Sequence, residues 1–189
     1  MSLLPGNYYH IYNRGNNREN IFIEDRNYKH FLQLFAKYIL PIADIFAYCL
    51  LRNHFHFLIR IKETPDTKHQ KLHQAFANFF NAYAKAFNRA YERTGSLFQR
   101  PYKRSKITSD SHLLQLVAYI HQNPQKHSFV DDFREWPYSS FHALRSEIST
   151  YIKRNEVLGW FEGREHFLEF HDREIPLNNL KPLSFEDFN

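Results

Sequence analysis

The chain has 189 residues, enough for one domain of ordinary size with a full hydrophobic core. Lys and Arg number 25 against 20 Asp and Glu, a formal charge of +5, and the 43% hydrophobic and 24% charged content excludes a disordered chain. A single cysteine, Cys49, rules out an intrachain disulfide and points to a reducing cytosol; the opening MSLLPGNYYH lacks the pattern of a signal peptide, and the longest apolar run, Ile45 to Leu51, is far too short to span a bilayer.

Tyr8 to Asn13 (YYHIYN) reads as a strand rich in aromatic and β-branched residues, closed by the turn cluster Arg14-Gly15-Asn16-Asn17. Asp25 is placed to cap a helix with Phe31, Leu34, Phe35 and Tyr38 on one stripe, ended by Pro41. Ile45 to Leu51 and His54 to Ile61 (HFHFLIRI) read as two strands joined at Arg52-Asn53. After the break at Thr64-Pro65-Asp66, a long helix is expected from about Gln70 to Arg93, with Leu72, Phe76, Phe79, Phe80, Tyr83 and Phe87 on a broad face. Leu97 to Ile107 reads as a strand. A helix capped by Ser109 or Asp110 runs from Ser111 to about Gln122, where Pro124 is expected to stop it.

The resulting order, β-α-β-β-α-β-α, is the split βαβ, ferredoxin-like pattern with one appended helix. The fold class expected is therefore α+β: an antiparallel ferredoxin-like sheet, an appended helix and a C-terminal helical extension. Beyond Pro124, Trp136-Pro137-Tyr138-Ser139-Ser140 reads as a docked turn, with one or two short helices near Phe141 to Arg145 and Arg164 to His171. Residues 1–125 are read as one domain and 126–189 as an extension packed on it or trailing from it.

Charge is unevenly spread. Between Lys85 and Lys106 stand seven basic residues (Lys85, Arg89, Arg93, Arg100, Lys103, Arg104, Lys106) and one acid, Glu92. From Glu162 onward, seven acids face three bases. A basic segment of that density suits a polyanion such as nucleic acid, and it also suits a solvated helix face and edge strand.

Two groupings carry chemistry. His54-Phe55-His56 lies in a strand, where residues i and i+2 share a face, so two imidazoles converge while Phe55 points to the core. Two ligands alone are not a site, and a His-x-His pair also arises by chance. Tyr119 and Asn123 are i and i+4 on the last predicted helix, one above the other, beside the apolar stripe of Leu113, Leu116, Val117 and Ile120. Alone, they read first as a packed ring and a helix cap, and only beside His54 and His56 as functional groups. Tyr83 and Tyr91 are rival phenols, but Phe87 and Gly95 occupy their i+4 positions.

Taken together, YYHIYNRGNNRENIF, YCLLRNHFHFLIR, FNRAYERTGSLFQRPYK and AYIHQNP resemble the single-tyrosine HUH transposases of the IS200-like superfamily, most closely the REP-associated tyrosine transposase branch. The motifs span about Tyr8 to Ser140, and WPYSS resembles the segment that follows the catalytic helix in that branch. The resemblance implies that His54 and His56 are the paired metal ligands, Asn123 the third, and Tyr119 the nucleophile. It implies a divalent cation, Mg²⁺ or Mn²⁺, and a partner in single-stranded or hairpin DNA that is cut and rejoined through a 5′-phosphotyrosine. His121 would point away from that site.

DNA contacts are expected from Arg14, Arg89, Arg93, Arg100, Lys103 and Arg104, with Tyr12 or Tyr102 either stacking on bases or packing in the core. A homodimer is left open, because relatives either lend the tyrosine helix to a partner or keep it. The expected location is the cytoplasm, at the nucleoid. Two other classes remain: a non-catalytic, domesticated DNA-binding protein of the same fold, and a metallonuclease that uses water. No transmembrane partner is expected.

Overall fold

The alternation in HFHFLIRI decides the architecture. Phe55, Phe57, Ile59 and Ile61 form an apolar face that must be covered, while His54, His56, Leu58 and Arg60 form the other; the strand lies inside the sheet and is buried on both faces. The computed structural model describes residues 2–64, 72–173 and 175. Its centre is an antiparallel four-stranded sheet of β1 (Tyr8–Arg14), β2 (Ala43–Leu50), β3 (His54–Ile61) and β4 (Lys103–Ile107), in the order β2-β3-β1-β4. This is the expected ferredoxin-like α+β arrangement.

One face of β3 offers Phe55 and Phe57 to two helices, α1 (Asp25–Tyr38) and α2 (Leu72–Ala90). Phe31 of α1 lies 5.1 Å from Phe55, Phe35 lies 4.3 Å from Phe57, and Phe80 of α2 lies 5.8 Å from Phe55, centroid to centroid. Burying each such ring stabilises the fold by about 1.5–3 kcal/mol, so this aromatic layer anchors the sheet. The other face, carrying His54 and His56, is covered by α3 (Asp110–Lys126).

Several boundaries differ from the sequence expectation. Asp25 is the first residue of α1; the cap is Glu24, which forms a capping box with Asn27. The long helix ends at Ala90, and its expected start at Gln70 lies outside the described residues. The strand expected over 97–107 is confined to Lys103–Ile107. Pro101 has no N–H for a ladder, and Phe98 instead bridges to Gly15.

Most consequentially, α3 does not stop at Pro124. It runs through to Lys126, because a proline one turn from the end removes a single hydrogen bond, and the His127 N–H still closes on the Asn123 carbonyl at 3.0 Å. Ser109 is its N-cap, its side chain accepting from the His112 N–H at 3.3 Å.

The WPYSS segment docks on β2. Trp136 Nε1 donates to the Leu50 carbonyl at 2.9 Å and the Ser140 N–H to the Tyr48 carbonyl at 2.9 Å. Three short helices follow: α4 (Phe141–Arg145), α5 (Arg154–Trp160) and α6 (Arg164–His171). The first and third match the expectation; α5 is additional, and its Trp160 stacks on Phe46 at 5.0 Å. Among the described residues no helix is long and apolar enough to cross a membrane.

Candidate active site

The antiparallel register of β1 and β3 builds the floor. Tyr12 lies across from His56 and Arg14 across from His54. Opposed residues share a face, so His10, Tyr12, Arg14, His54 and His56 all look toward α3. That helix brings Tyr119 over His56, with ring centroids 5.7 Å apart and nearly perpendicular.

One turn on, Asn123 is fully buried, and its Nδ2 donates to the Tyr119 carbonyl at 3.0 Å. The same amide reaches three groups: it favours the protonated forms of His54 and His56 and the ionised form of Tyr119. The four residues picked out by spacing therefore come together within one chain.

A second layer orients the imidazoles. His54 Nδ1 stands 2.7 Å from Asn53 Oδ1. A carbonyl oxygen only accepts, so the proton of His54 sits on Nδ1. His56 Nδ1 stands 2.9 Å from His10 Nε2. Asn53 is itself held by the loop after β1, where the Gly15 N–H donates to the Asn53 carbonyl at 2.8 Å. A Cβ at Gly15 would overlap the Glu19 carbonyl oxygen, so only glycine fits that turn.

Burial dominates the electrostatics. It lowers His54 to about 3, helped by the nearby His127 ring, and holds His56 well below its ordinary value, helped by the neighbouring His10. Both imidazoles are neutral at pH 7, the form in which a ring nitrogen can ligate a metal. Burial pushes the Tyr119 phenol up, and Asn123 works against that rise.

The donor set fits a hard divalent cation. Among the described residues no group of three His, Cys, Asp or Glu side chains forms a metal cluster, so a site here needs the amide oxygen as its third donor. Asn123 Oδ1 is buried and makes no hydrogen bond of ordinary geometry. Two imidazoles and one amide oxygen leave room for water and phosphate around Mg²⁺ or Mn²⁺.

Four neighbours were not anticipated: His10, Asn53, Lys126 and His127. Lys126 Nζ stands 5.0 Å over the Tyr119 ring and donates to the Ile175 carbonyl at 3.0 Å. The His127 ring is 4.9 Å from His54. Lys126 and His127 are i+7 and i+8 from Tyr119, the spacing that would have found them once the helix is read through Pro124.

The expected DNA contacts divide. Arg14 is buried, and its charge disfavours protonation of both His54 and His127, so it borders the site. Lys103 lies across β1 from Tyr12, on the site's face, whereas Arg104 lies across from Ile11 on the opposite one. Arg89 and Arg100 are exposed. Arg93 is half-buried and ion-paired with Glu19, its Nε 2.9 Å from Oε2, so it braces the loop after β1.

Tyr12 is buried, stacked on His10 at 4.6 Å, and unavailable to a base. Tyr102 lines a cleft of about 580 Å³ with Asn13, Asn81, Phe98 and Arg100. The rival phenols serve structure: Tyr83 donates to the Ile21 carbonyl at 2.6 Å and Tyr91 to Glu24 at 2.8 Å. His121 points away from the site, as expected, toward His171 and Ser140.

Comparison with known proteins locates this arrangement. The family model described as "Transposase IS200 like" matches residues 5–123. A Haemophilus influenzae protein named "Putative REP-associated tyrosine transposase" is 32% identical over 108 residues, covering 54% of this chain and 61% of that protein. The match thus spans less than two thirds of that relative's length. A solved structure of a REP-associated tyrosine transposase bound to a REP hairpin superposes with a TM-score of 0.58 at 20% identity, covering 76% of this chain and 81% of the other. At that identity the likeness is one of fold.

Proposed function

The chain belongs to the IS200-like transposase family, and we propose that it cuts and rejoins hairpin-bearing single-stranded DNA through a covalent bond between Tyr119 and a 5′-phosphate, at a divalent cation held by His54, His56 and Asn123. The observation that carries this reading is geometric: α3 sets the Tyr119 ring 5.7 Å from that of His56, and one turn on the buried Asn123 donates from Nδ2 to the Tyr119 carbonyl, on the face that also carries His54. Support for the DNA partner comes from the basic segment and from the solved relative of the same fold, which holds a hairpin.

Bound Mg²⁺ or Mn²⁺ would supply positive charge to the scissile phosphate. The remaining work falls to the chain. Tyr119 Oη gives up its proton and attacks phosphorus, the Oη–P bond forms as the P–O3′ bond breaks, and the departing 3′-oxygen takes up a proton, so that one proton is lost and one gained. A second 3′-hydroxyl reverses the step, and no nucleotide cofactor is consumed. Burial opposes ionisation of the phenol and the Asn123 amide opposes that penalty; the Lys126 ammonium, 5.0 Å over the ring, would favour the phenolate as it forms.

Arg14 and Lys103, on the site's face, neutralise flanking phosphates. Arg89, Arg100 and Arg104 hold the more distant strand, and the cleft beside Tyr102 accepts a base. Every proposed catalytic group stands in one chain, so this mechanism needs no tyrosine from a partner. Residues 1–125 carry the ligands and the tyrosine, and 126–189 are the extension, which adds Lys126 at the end of α3 and braces that helix. An enzyme acting on single-stranded DNA would work in the cytoplasm, at the nucleoid.

The test is incubation with Mn²⁺ and a hairpin-bearing oligonucleotide. The wild type is expected to give a denaturation-resistant protein–DNA adduct that Tyr119→Phe abolishes. Cleavage surviving Tyr119→Phe would mark a nuclease that uses water. Tight binding with no adduct would mark a non-catalytic DNA-binding protein.

A further inference from the structure

We propose that His10 is a positioning residue, whose Nε2 accepts the Nδ1 proton of His56 and so selects the tautomer of His56 that presents a bare Nε2 to a divalent cation. The proposal rests on the metal reading above and adds a role for a residue outside the ligand set. His10 is 1% exposed, and its Nε2 is 2.9 Å from His56 Nδ1. The two rings are tilted by only 16°. Tyr12 stacks on His10 at 4.6 Å from the same strand, which keeps its ring from swinging away.

A hydrogen bond between two neutral imidazoles holds one proton and has two arrangements. In the first, His10 Nε2 donates, and the one proton of His56 sits on Nε2, pointing toward Asn123 where a cation would otherwise lie. In the second, His56 Nδ1 donates, His56 Nε2 is a lone pair, and the proton of His10 moves to its Nδ1. Each ring carries one proton in both arrangements, so the exchange is neutral.

The second arrangement places the His10 proton on a buried nitrogen that has no hydrogen-bond partner among the described residues. Without a cation, the first arrangement is therefore preferred, and a cation entering between His54, His56 and Asn123 reverses the preference. Asn53 does the corresponding work for His54, but as an acceptor only, so His54 is fixed in one tautomer. The asymmetry makes His56 the ligand whose readiness depends on its neighbour.

The test titrates Mn²⁺ into the full chain by electron paramagnetic resonance, alongside thermal unfolding. Wild type is expected to bind one Mn²⁺ and His56→Ala to lose it. His10→Phe, a ring of similar size with no acceptor, is expected to bind about 10–100-fold more weakly, and His10→Gln, which restores an acceptor, within about threefold of wild type. A folded His10→Phe with wild-type affinity would overturn the proposal while leaving the metal site standing. Wild type and His56→Ala that bind alike would overturn the metal reading itself.

Should His10→Phe fail to fold, ¹⁵N spectra of Mg²⁺-saturated wild type decide. A coupling across the hydrogen bond from protonated His56 Nδ1 to bare His10 Nε2 supports the assignment; a protonated His10 Nε2 contradicts it.

Discussion

Two buried histidine pairs sit on either side of α3, and they are wired differently. In the structural pair, His121 Nδ1 meets His171 Nε2 at 2.8 Å, His121 Nε2 meets Ser140 Oγ at 2.8 Å, and His171 Nδ1 donates to the Phe167 carbonyl at 2.7 Å. All four ring nitrogens are satisfied, and the circuit ties α3 to α6 and to the segment docked on β2. In the other pair, His56 and His10 share one hydrogen bond, and His56 faces Asn123 and Tyr119. Burial keeps both pairs neutral. The same residue type at the same depth is thus closed for stability in one place and left facing a polar cluster in the other.

The sharpest way to break this contrast is to exchange its consequences. His56→Ala should leave a folded protein that has lost DNA cleavage by at least about 10³-fold. His121→Ala, which strands His171 and Ser140, should cost about 2–4 kcal/mol of stability yet leave Mn²⁺ affinity unchanged in the folded fraction. Melting curves and Mn²⁺ titrations on the two variants check both halves, and equal stability losses would dissolve the distinction.

Next in size is Lys126. Replacing it with Met should slow adduct formation by about 10–100-fold with unchanged DNA affinity, because the ammonium acts on the phenol rather than on the strand's position. Single-turnover kinetics with a filter-binding control separates the two.

Acid should then unravel the structural pair. Burial lowers His171 from 6.5 to about 4 and keeps His121 well below its ordinary value. The unfolded chain therefore binds more protons than the native one between pH 6.5 and about 4, so stability is complete above 6.5 and declines as pH falls through that window. Urea midpoints from pH 8 to 4.5 should show this decline, and a His121→Phe/His171→Phe double variant should show a shallower one.

The smallest effect distinguishes two arginines of the basic segment. Arg100→Ala should reduce the slope of log affinity against log salt by about 0.7, the value for one phosphate contact on a single strand. Arg93→Ala, whose partner is Glu19, should leave the slope unchanged.

The residues that alternate or recur on one element were legible in the sequence. His54 and His56 follow the period of a strand, Tyr119 and Asn123 the period of a helix, and the order of elements gave the sheet. His10 was not legible as part of the site, because its place depends on β1 pairing with β3 in one register, a fact of topology. Lys126 and His127 were hidden by a local rule. A proline is expected to stop a helix, but Pro124 lies near the C-terminus of α3, where it costs one hydrogen bond and the helix continues. For Arg93, charge density does not reveal that it pairs with Glu19, 74 residues away.

The central claim is that His54, His56 and Asn123 hold one cation beside the tyrosine. Anomalous diffraction from a Mn²⁺-soaked crystal tests it directly. The account predicts a single strong peak within bonding distance, about 2.0–2.3 Å, of an imidazole nitrogen of each histidine and of Asn123 Oδ1. A peak elsewhere, or none at saturating Mn²⁺, would contradict it.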